Sequence, residues 1–243
     1  MSETIFGLVT DVVRHSDRHN VVTLYTPTRG RVSCLSPAGT GRAARLRSAR
    51  LQPLSVIEAE IRFRPGRELH SLGRLSVVDA FAGLRVSPVK TAVTLFLQDF
   101  LRRFLRESPP DSSLWTYIVS SLRFFSNQRS GTANFHICFT IGLLEPAGIK
   151  PDFDDADSGS YFDMRAGRFA FFPPTHQDFV APAEASFLPK LARMNLLNMH
   201  RFRFSAAQRR RILSGLLRYY SIHLPGLASL RSPEVLADIF SAD

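Results

Sequence analysis

Cysteine is scarce in this sequence, which excludes a disulfide framework and a cysteine-rich metal site. Only Cys34 and Cys138 occur among the 243 residues, and there is no CxxC pair. Both lie in apolar segments far apart along the chain, so we expect two buried thiols in a reducing compartment. One disulfide between them is the alternative.

Long apolar runs are missing as well. No uncharged stretch approaches the roughly 18 apolar residues that a membrane-spanning helix needs. The N-terminal segment MSETIFGLVTDVV has no basic residues ahead of a long apolar stretch, so it lacks the pattern of a signal peptide. We therefore expect a soluble, cytoplasmic protein that does not bind membranes.

The sequence also lacks the motifs of common catalytic and metal sites. It has no HExxH, no GxSxG and no phosphate-binding glycine loop, and its seven histidines are scattered singly. The dense carboxylate group, Asp152, Asp154, Asp155 and Asp157, does not fit an EF-hand loop, because Ala156 or Ala166 would occupy a ligand position. We predict no catalytic residue, no metal and no cofactor. Metal binding in this loop, or catalysis by residues distant in sequence, is the alternative.

Arginine dominates the charge of the chain. The net charge is +10, and Lys90, Lys150 and Lys190 are the only lysines among 31 cationic residues. Arginine suits planar, bidentate contacts with phosphate or carboxylate. Six arginines occur with no acid between them: Arg29, Arg31, Arg42, Arg45, Arg47 and Arg50. We predict that they occupy the third strand and a flexible loop, PAGTGRAARLRSAR, and bind a nucleic-acid backbone independently of sequence. A merely soluble surface is the alternative.

A second basic cluster lies at the start of a predicted helix. Ser205 and Gln208 form a capping-box pattern, and an apolar stripe of helical spacing follows from Ile212 to Leu224. Arg209, Arg210 and Arg211 fall in the first turns, where cations oppose the helix dipole. They could hold an anionic partner, or they could be ordinary charges paired with nearby acids.

The organisation of the chain changes near residue 82. Five short strands precede it; in the clearest of them Ile57, Ala59 and Ile61 alternate with charged residues. Five strands in so short a segment predict an OB-fold barrel, which we assign to residues 1–82. Residues 83–243 have helical spacing and form an all-α domain, with a small irregular insert at 146–189 that contains a β-hairpin around Ala166 and Gly167. The predicted fold class is therefore α+β with two domains.

Several segments resemble the bacterial DNA repair protein RecO family over nearly the whole chain. A basic loop precedes LQP in the barrel, and LFLQDFLRRFLRE, NFHICFTIGLLEPAGIKPDF and LLRYYSIHLPGLASLRSPEVL are similar to the helical domain. The resemblance implies a recombination mediator and not an enzyme. Such a protein binds single- and double-stranded DNA at the nucleoid, anneals strands, contacts the acidic C-terminal tail of the single-stranded-DNA-binding protein, and works with RecR to load RecA. It also implies that Arg209, Arg210 and Arg211 hold this tail or a phosphate backbone.

The chain departs from the family pattern at one place. Many members have a four-cysteine zinc site after the segment that matches GLLEPAGIKPDF, whereas this chain has no cysteine there. We expect packing to hold the insert instead, through the aromatic residues Tyr161, Phe162, Phe169, Phe171 and Phe172. Two other functions stay open from the sequence: an RNA-binding OB-fold adaptor and a metal-dependent nuclease.

Overall fold

The computed structural model describes residues 2–153, 159–228 and 230. The chain forms two compact units, Met1–Asn127 and Gln128–Asp243. The predicted domain boundary between residues 82 and 83 stays a prediction. Within the described residues, no helix combines the length and the apolar character that crossing a membrane requires.

The first unit begins with a closed barrel of five strands, as predicted. The strands are β1 (Ser2–Arg14), β2 (His19–Thr26), β3 (Gly30–Pro37), β4 (Val56–Arg62) and β5 (Leu69–Asp79). They pair in the order β1-β2-β3-β5-β4; the β3–β5 pair is parallel and the other pairs are antiparallel. This arrangement confirms the predicted barrel.

Apolar side chains at alternate positions of the strands fill the interior of the barrel. On β4, Ile57, Ala59 and Ile61 are fully buried, whereas Glu60 between them is exposed. They pack with Leu24 of β2 and Cys34 of β3 in one apolar cluster. Burial of alternate side chains excludes water from the barrel interior and leaves the charged residues on its outer surface.

The prediction that the basic segment PAGTGRAARLRSAR is a flexible loop is wrong for most of its length, because part of the segment is helical. Helix α1 (Arg42–Arg50) follows Gly41 directly and continues to the turn at Leu51. Gly39 and Gly41 both precede the helix, and the residues within it include alanine, leucine and arginine, which favour helix. The arginines are therefore displayed on a regular element.

Two longer helices complete the first unit. They are α2 (Pro88–Phe104) and α3 (Ser112–Asn127). Ser87 caps α2, since its hydroxyl accepts a hydrogen bond from the Lys90 backbone N–H at 3.3 Å. The buried ammonium group of Lys90 donates to the carbonyls of Phe125 and Ser126 at 2.8 and 3.0 Å, which satisfies the C-terminal end of α3.

The second unit is built around a short buried helix and a long one. The segment of helix α4 (Phe135–Gly142) is apolar nearly all round in the sequence, which predicts a buried helix, and its first six residues are all buried. The other α-helices among the described residues are α5 (Pro182–Ala185), α6 (Leu188–Ala192) and α7 (Ala206–His223). The helical region that was predicted to follow the barrel is thus confirmed.

The insert contains a small sheet. Its strands are β6 (Tyr161–Asp163), β7 (Arg168–Ala170) and β8 (Phe179–Val180), in the order β7-β6-β8. The hairpin turns at Gly167, where φ is +66°. The buried Phe162 ring contacts Phe153, Phe169 and Tyr219 at centroid distances of 5.6, 5.5 and 6.2 Å, so aromatic packing holds this region.

Other expectations about the second unit need correction. Phe171 and Phe172 do not pack, because β7 ends at Ala170 and their side chains are 73% and 83% exposed. The segment LPKLARMNLLNM predicts one helix over 188–199, but α6 ends at Ala192, and the Asn195 side chain then accepts hydrogen bonds from the backbone N–H groups of Leu197 and Asn198. The sequence also predicts a final helix capped by Ser232, Pro233 and Glu234, and this segment lies outside the described residues, as do Asp154, Asp155 and Asp157.

Candidate nucleic-acid interface

Helix α1 carries four of the six arginines predicted to bind nucleic acid, Arg42, Arg45, Arg47 and Arg50. No residue of α1 is buried. A helix of about two and a half turns is marginal without tertiary contacts. Its position on the barrel therefore depends on the few side chains that reach the barrel.

Arg47 makes that attachment. Its Nε donates to the buried Ser36 hydroxyl at 2.7 Å, and its Nη2 donates to the Leu72 and Gly73 carbonyls at 2.9 and 2.8 Å. Burial lowers the pKa of the Arg47 guanidinium, and the nearby Arg50 lowers it further. The hydrogen-bond donors of Arg47 are therefore used by β3 and β5. Arg47 holds α1 on the barrel and is not available to bind a nucleic acid.

Four predicted arginines remain available on the barrel surface. Arg31 on β3 and Arg42, Arg45 and Arg50 on α1 are exposed. Among the described residues, none of these four side chains has an ion pair or hydrogen bond. An exposed helix with unneutralised guanidinium groups concentrates positive potential where a polyanion can approach.

Arg29, the sixth arginine, lies in a cleft beside the barrel. The cleft has a volume of about 370 Å³ and lies between the β2–β3 turn and the segment that joins β4 to β5. Arg29 donates to Glu3 at 2.6 Å, and its guanidinium lies 4.3 Å from the centre of the Phe63 ring. His70 meets the same ring edge-on at 4.8 Å.

The other side of this cleft comes from residues that sequence reasoning missed. Arg64 donates its backbone N–H to His70 Nδ1 at 3.3 Å and its Nη2 to the Ser71 hydroxyl at 2.9 Å. Burial lowers the pKa of His70, and Arg29 and Arg64 lower it further. The segment RPGRE marks a basic turn, but its position next to Arg29 follows only from closure of the barrel.

The three arginines at the start of α7 have separate environments. The predicted capping box is present: the Gln208 N–H donates to the Ser205 hydroxyl at 3.2 Å, and the Ser205 N–H donates to Gln208 Oε1 at 2.8 Å. Arg209 is partly buried and donates to the Phe204 carbonyl at 2.6 Å. Arg211 pairs with Glu184 at 3.3 Å, and Arg210 is exposed. Within this cluster, Arg209 therefore has a structural role, and Arg210 and Arg211 lie on the surface.

A groove of about 1160 Å³ runs along α7 in the second unit, and we call it the α7 groove. Its apolar lining includes Phe153, Phe162, Phe179, Phe187, Leu191, Met194, Phe204 and Leu216. Its cationic residues are Lys150, Arg210, Arg211 and Arg218. Lys150 pairs with Glu145 at 3.2 Å and Arg218 with Asp178 at 2.9 Å. An apolar groove bordered by cations has the chemistry to hold an acidic peptide with apolar side chains.

His136 is a core residue, in line with its apolar surroundings in the sequence. It is 1% exposed within α4. Burial lowers the pKa of its imidazole to about 3, and the positive charge of Arg209 contributes. His136 is therefore neutral near pH 7 and does not titrate in the physiological range. Among the described residues, no group of three or more His, Cys, Asp or Glu side chains could hold a metal ion.

Comparison with known proteins covers almost the whole chain. The family model described as Recombination protein O N terminal matches residues 1–81, and that described as Recombination protein O C terminal matches residues 85–233. The DNA repair protein RecO of Bacteroides fragilis is 34% identical over 241 residues, which cover 99% of this chain and 100% of that protein. The RecO proteins of Phocaeicola vulgatus and Porphyromonas gingivalis are 33% and 31% identical, over 99% and 93% of this chain and 100% and 94% of theirs.

Proposed function

The chain belongs to the RecO family of DNA repair and recombination proteins, and from this premise we propose that it is a DNA-binding recombination mediator and not an enzyme. In this proposal the barrel binds single- and double-stranded DNA. The second unit binds the acidic tail of the single-stranded-DNA-binding protein. Together with RecR, the protein then promotes annealing and the loading of RecA.

The observation that carries the DNA-binding part is the set of exposed arginines on the barrel and α1, Arg31, Arg42, Arg45 and Arg50. Within the part of the chain that the structure describes, no acid neutralises them. Each phosphate that such a residue neutralises releases condensed counterions, whatever the base sequence. The contacts would therefore position the protein on a strand without selecting a sequence.

The first experiment replaces Arg42, Arg45 and Arg50 with glutamine and measures binding to several unrelated oligonucleotides over a range of salt. We expect weaker binding to all of them, and a salt slope reduced by roughly 0.7 to 0.9 for each lost phosphate contact. The matched control replaces the exposed Arg106, Arg129 and Arg193, which lie outside α1, and so loses the same charge. Equal salt slopes in the two triple variants would show that α1 is not part of the DNA interface. Tighter binding of RNA than of DNA of equal length would favour an RNA-binding adaptor.

The α7 groove is our candidate site for the acidic tail. Its lining is apolar, and Arg210 and Arg211 lie at the start of α7, where backbone N–H groups also favour anions. A tail that combines carboxylates with apolar side chains matches both parts of the groove. A phosphate backbone would use the cations and leave the apolar lining unused, so we favour the tail.

The mediator activity has its own test. Complementary strands are coated with the cognate single-stranded-DNA-binding protein, either intact or lacking its acidic tail, and annealing is followed with and without this protein. We expect acceleration only with the intact tail. A RecA-loading assay with and without RecR then tests the loading step, and incubation of labelled DNA with magnesium or manganese tests for nuclease activity. Cleavage of the DNA would contradict a purely mediating role.

A further inference from the structure

We propose that the cleft between Arg29, Arg31, Phe63, Arg64 and His70 is a built phosphate-binding site for a DNA strand, distinct from α1. This inference rests on the proposed DNA binding and adds to it a defined contact. It differs from the counterion release expected of α1, because Arg29, Arg64 and His70 are held in place by contacts within the barrel.

Positive charge converges on the cleft from three segments. Arg29 comes from the β2–β3 turn, Arg31 from β3 and Arg64 from the segment after β4. Glu3 is tied to Arg29 at 2.6 Å and offsets that one cation. Arg31 and Arg64 have no carboxylate partner among the described residues. The cleft thus has an excess of two guanidinium charges for an anion, and guanidinium donors match phosphate oxygens well.

His70 supplies a further donor with a fixed orientation. Its Nδ1 accepts the Arg64 backbone N–H at 3.3 Å, so in the neutral ring the proton resides on Nε2. The neutral ring is the form expected near pH 7, since burial and the two neighbouring arginines lower the pKa of His70. Nε2–H is then free to donate to a phosphate oxygen.

Phe63 keeps this arrangement rigid. Arg29 lies over its ring, 4.3 Å from the centroid, and His70 packs against it in a T-shaped arrangement with centroids 4.8 Å apart. Arg64 is fixed in turn by the Ser71 hydroxyl at 2.9 Å. Donors that are ordered before binding lose little conformational entropy when a ligand arrives. These side chains come from separate parts of the sequence, and closure of the barrel brings them together.

The test uses the double variant Arg31→Gln, Arg64→Gln, with Arg18→Gln, Arg106→Gln as the control for lost charge. Arg18 and Arg106 are exposed, belong to the same unit and do not line the cleft. We expect the cleft double variant to bind a single-stranded oligonucleotide at least about tenfold more weakly than the control double variant does. Equal affinities of the two double variants would overturn the proposal.

A second measurement does not depend on affinity. In the imidazole ¹H–¹⁵N spectrum, we expect His70 of the free protein to be the Nε2–H tautomer and its signals to shift when the oligonucleotide binds, while those of His19 stay unchanged. His70→Asn identifies the signals. It keeps an acceptor for the Arg64 N–H but removes the Nε2–H, so this variant should bind DNA more weakly. Absence of a His70 shift at saturating DNA would overturn the proposal.

A comparison of ligands shows which kind of phosphate group the cleft binds. Oligonucleotides of equal length with a 5′-hydroxyl or a 5′-phosphate are compared, and inorganic phosphate is titrated alone. Equal His70 shifts with both oligonucleotides identify an internal phosphodiester, and a shift only with the second identifies a strand end; both support a phosphate site. No binding of any DNA by the wild type would overturn the proposed function together with this inference, whereas DNA binding that ignores the cleft variants would overturn the inference alone.

Discussion

Arg47 and Arg50 belong to the same helix and have different roles. Arg47 is held by three hydrogen bonds to β3 and β5, whereas the exposed side chain of Arg50 has no partner among the described residues. The contacts of an arginine decide whether its removal affects the stability of the fold or the binding of an anion. In α7, Arg209 is partly buried and donates to the Phe204 carbonyl, whereas Arg210 and Arg211 are exposed.

Replacing Arg47 with alanine should destabilise the first unit. The change removes charge-assisted hydrogen bonds and leaves the buried Ser36 hydroxyl without this donor, which should lower the free energy of unfolding by about 1 to 3 kcal/mol. Arg50→Ala is the control and should stay within about 0.5 kcal/mol of the wild type. Urea denaturation of the three proteins measures the difference, and equal unfolding midpoints would contradict the anchoring role of Arg47.

His136 should make the stability of the protein fall in acid. The pKa of its imidazole is 6.5 in an unfolded chain and about 3 in the folded protein, so below about pH 6.5 the unfolded chain binds the extra proton and the folded one does not. This residue alone should cost up to about 1.4 kcal/mol of stability per pH unit over that window. Denaturation at several pH values should give a shallower pH dependence for His136→Gln than for the wild type. Parallel curves would contradict the lowered pKa.

Helix α7 begins with cations in spite of its dipole. The capping box satisfies N-terminal donors, and Leu213, Leu217 and Tyr220 bury one side of the helix, where Tyr220 also donates to the Thr140 carbonyl at 2.7 Å. Each exposed cation near the start costs a few tenths of a kcal/mol. The stabilisation from the buried side chains of α7 exceeds that cost. The helix therefore forms with Arg210 and Arg211 on its surface.

We expect the arginines of α7 to separate into two classes. Arg209→Gln should lower the melting temperature, because it loses the 2.6 Å bond to the Phe204 carbonyl. The double variant Arg210→Gln, Arg211→Gln should keep its stability or gain slightly, since both side chains are exposed and cations at a helix start oppose the helix dipole. The double variant should bind a fluorescent acidic tail peptide more weakly by over about 1 kcal/mol. Unchanged peptide affinity would remove the tail-binding role, and a loss of DNA affinity instead would assign these arginines to the phosphate backbone.

In the molecule as a whole, the barrel and the insert are stabilised by apolar packing. The insert is held by the rings around Phe162 and by hydrogen bonds such as that from Tyr219 to the Ile149 carbonyl at 3.0 Å. Burial raises the pKa of the Tyr219 hydroxyl to about 12. The hydroxyl therefore stays protonated, and the bond persists across the ordinary pH range.

Removal of metal should leave the whole protein unaffected. The insert contributes no cysteine, and His176 is its only histidine. We therefore expect well under one zinc per chain in the purified protein and the same thermal unfolding with and without a chelator, because no folding energy comes from a metal. Stoichiometric zinc, or a melting temperature that falls on chelation, would contradict this expectation.

The sequence by itself determined the local elements. Alternation of apolar residues specified the strands, helical spacing specified α2, α3 and α7, and the Ser205 and Gln208 pattern located the start of α7. Composition also identified the basic segments. These properties are local, because side-chain periodicity and capping depend on residues a few positions apart.

Only the tertiary structure decided which basic residues meet and what they do. Arg29, Phe63 and His70 share one cleft because the barrel closes, and Arg47 differs from its neighbours because β3 and β5 offer it acceptors. Phe171 and Phe172 are exposed although their composition suggested packing, because β7 ends before them. Contacts between residues distant in sequence are fixed by strand order and by where each element ends, and neither is encoded within a single segment of the chain.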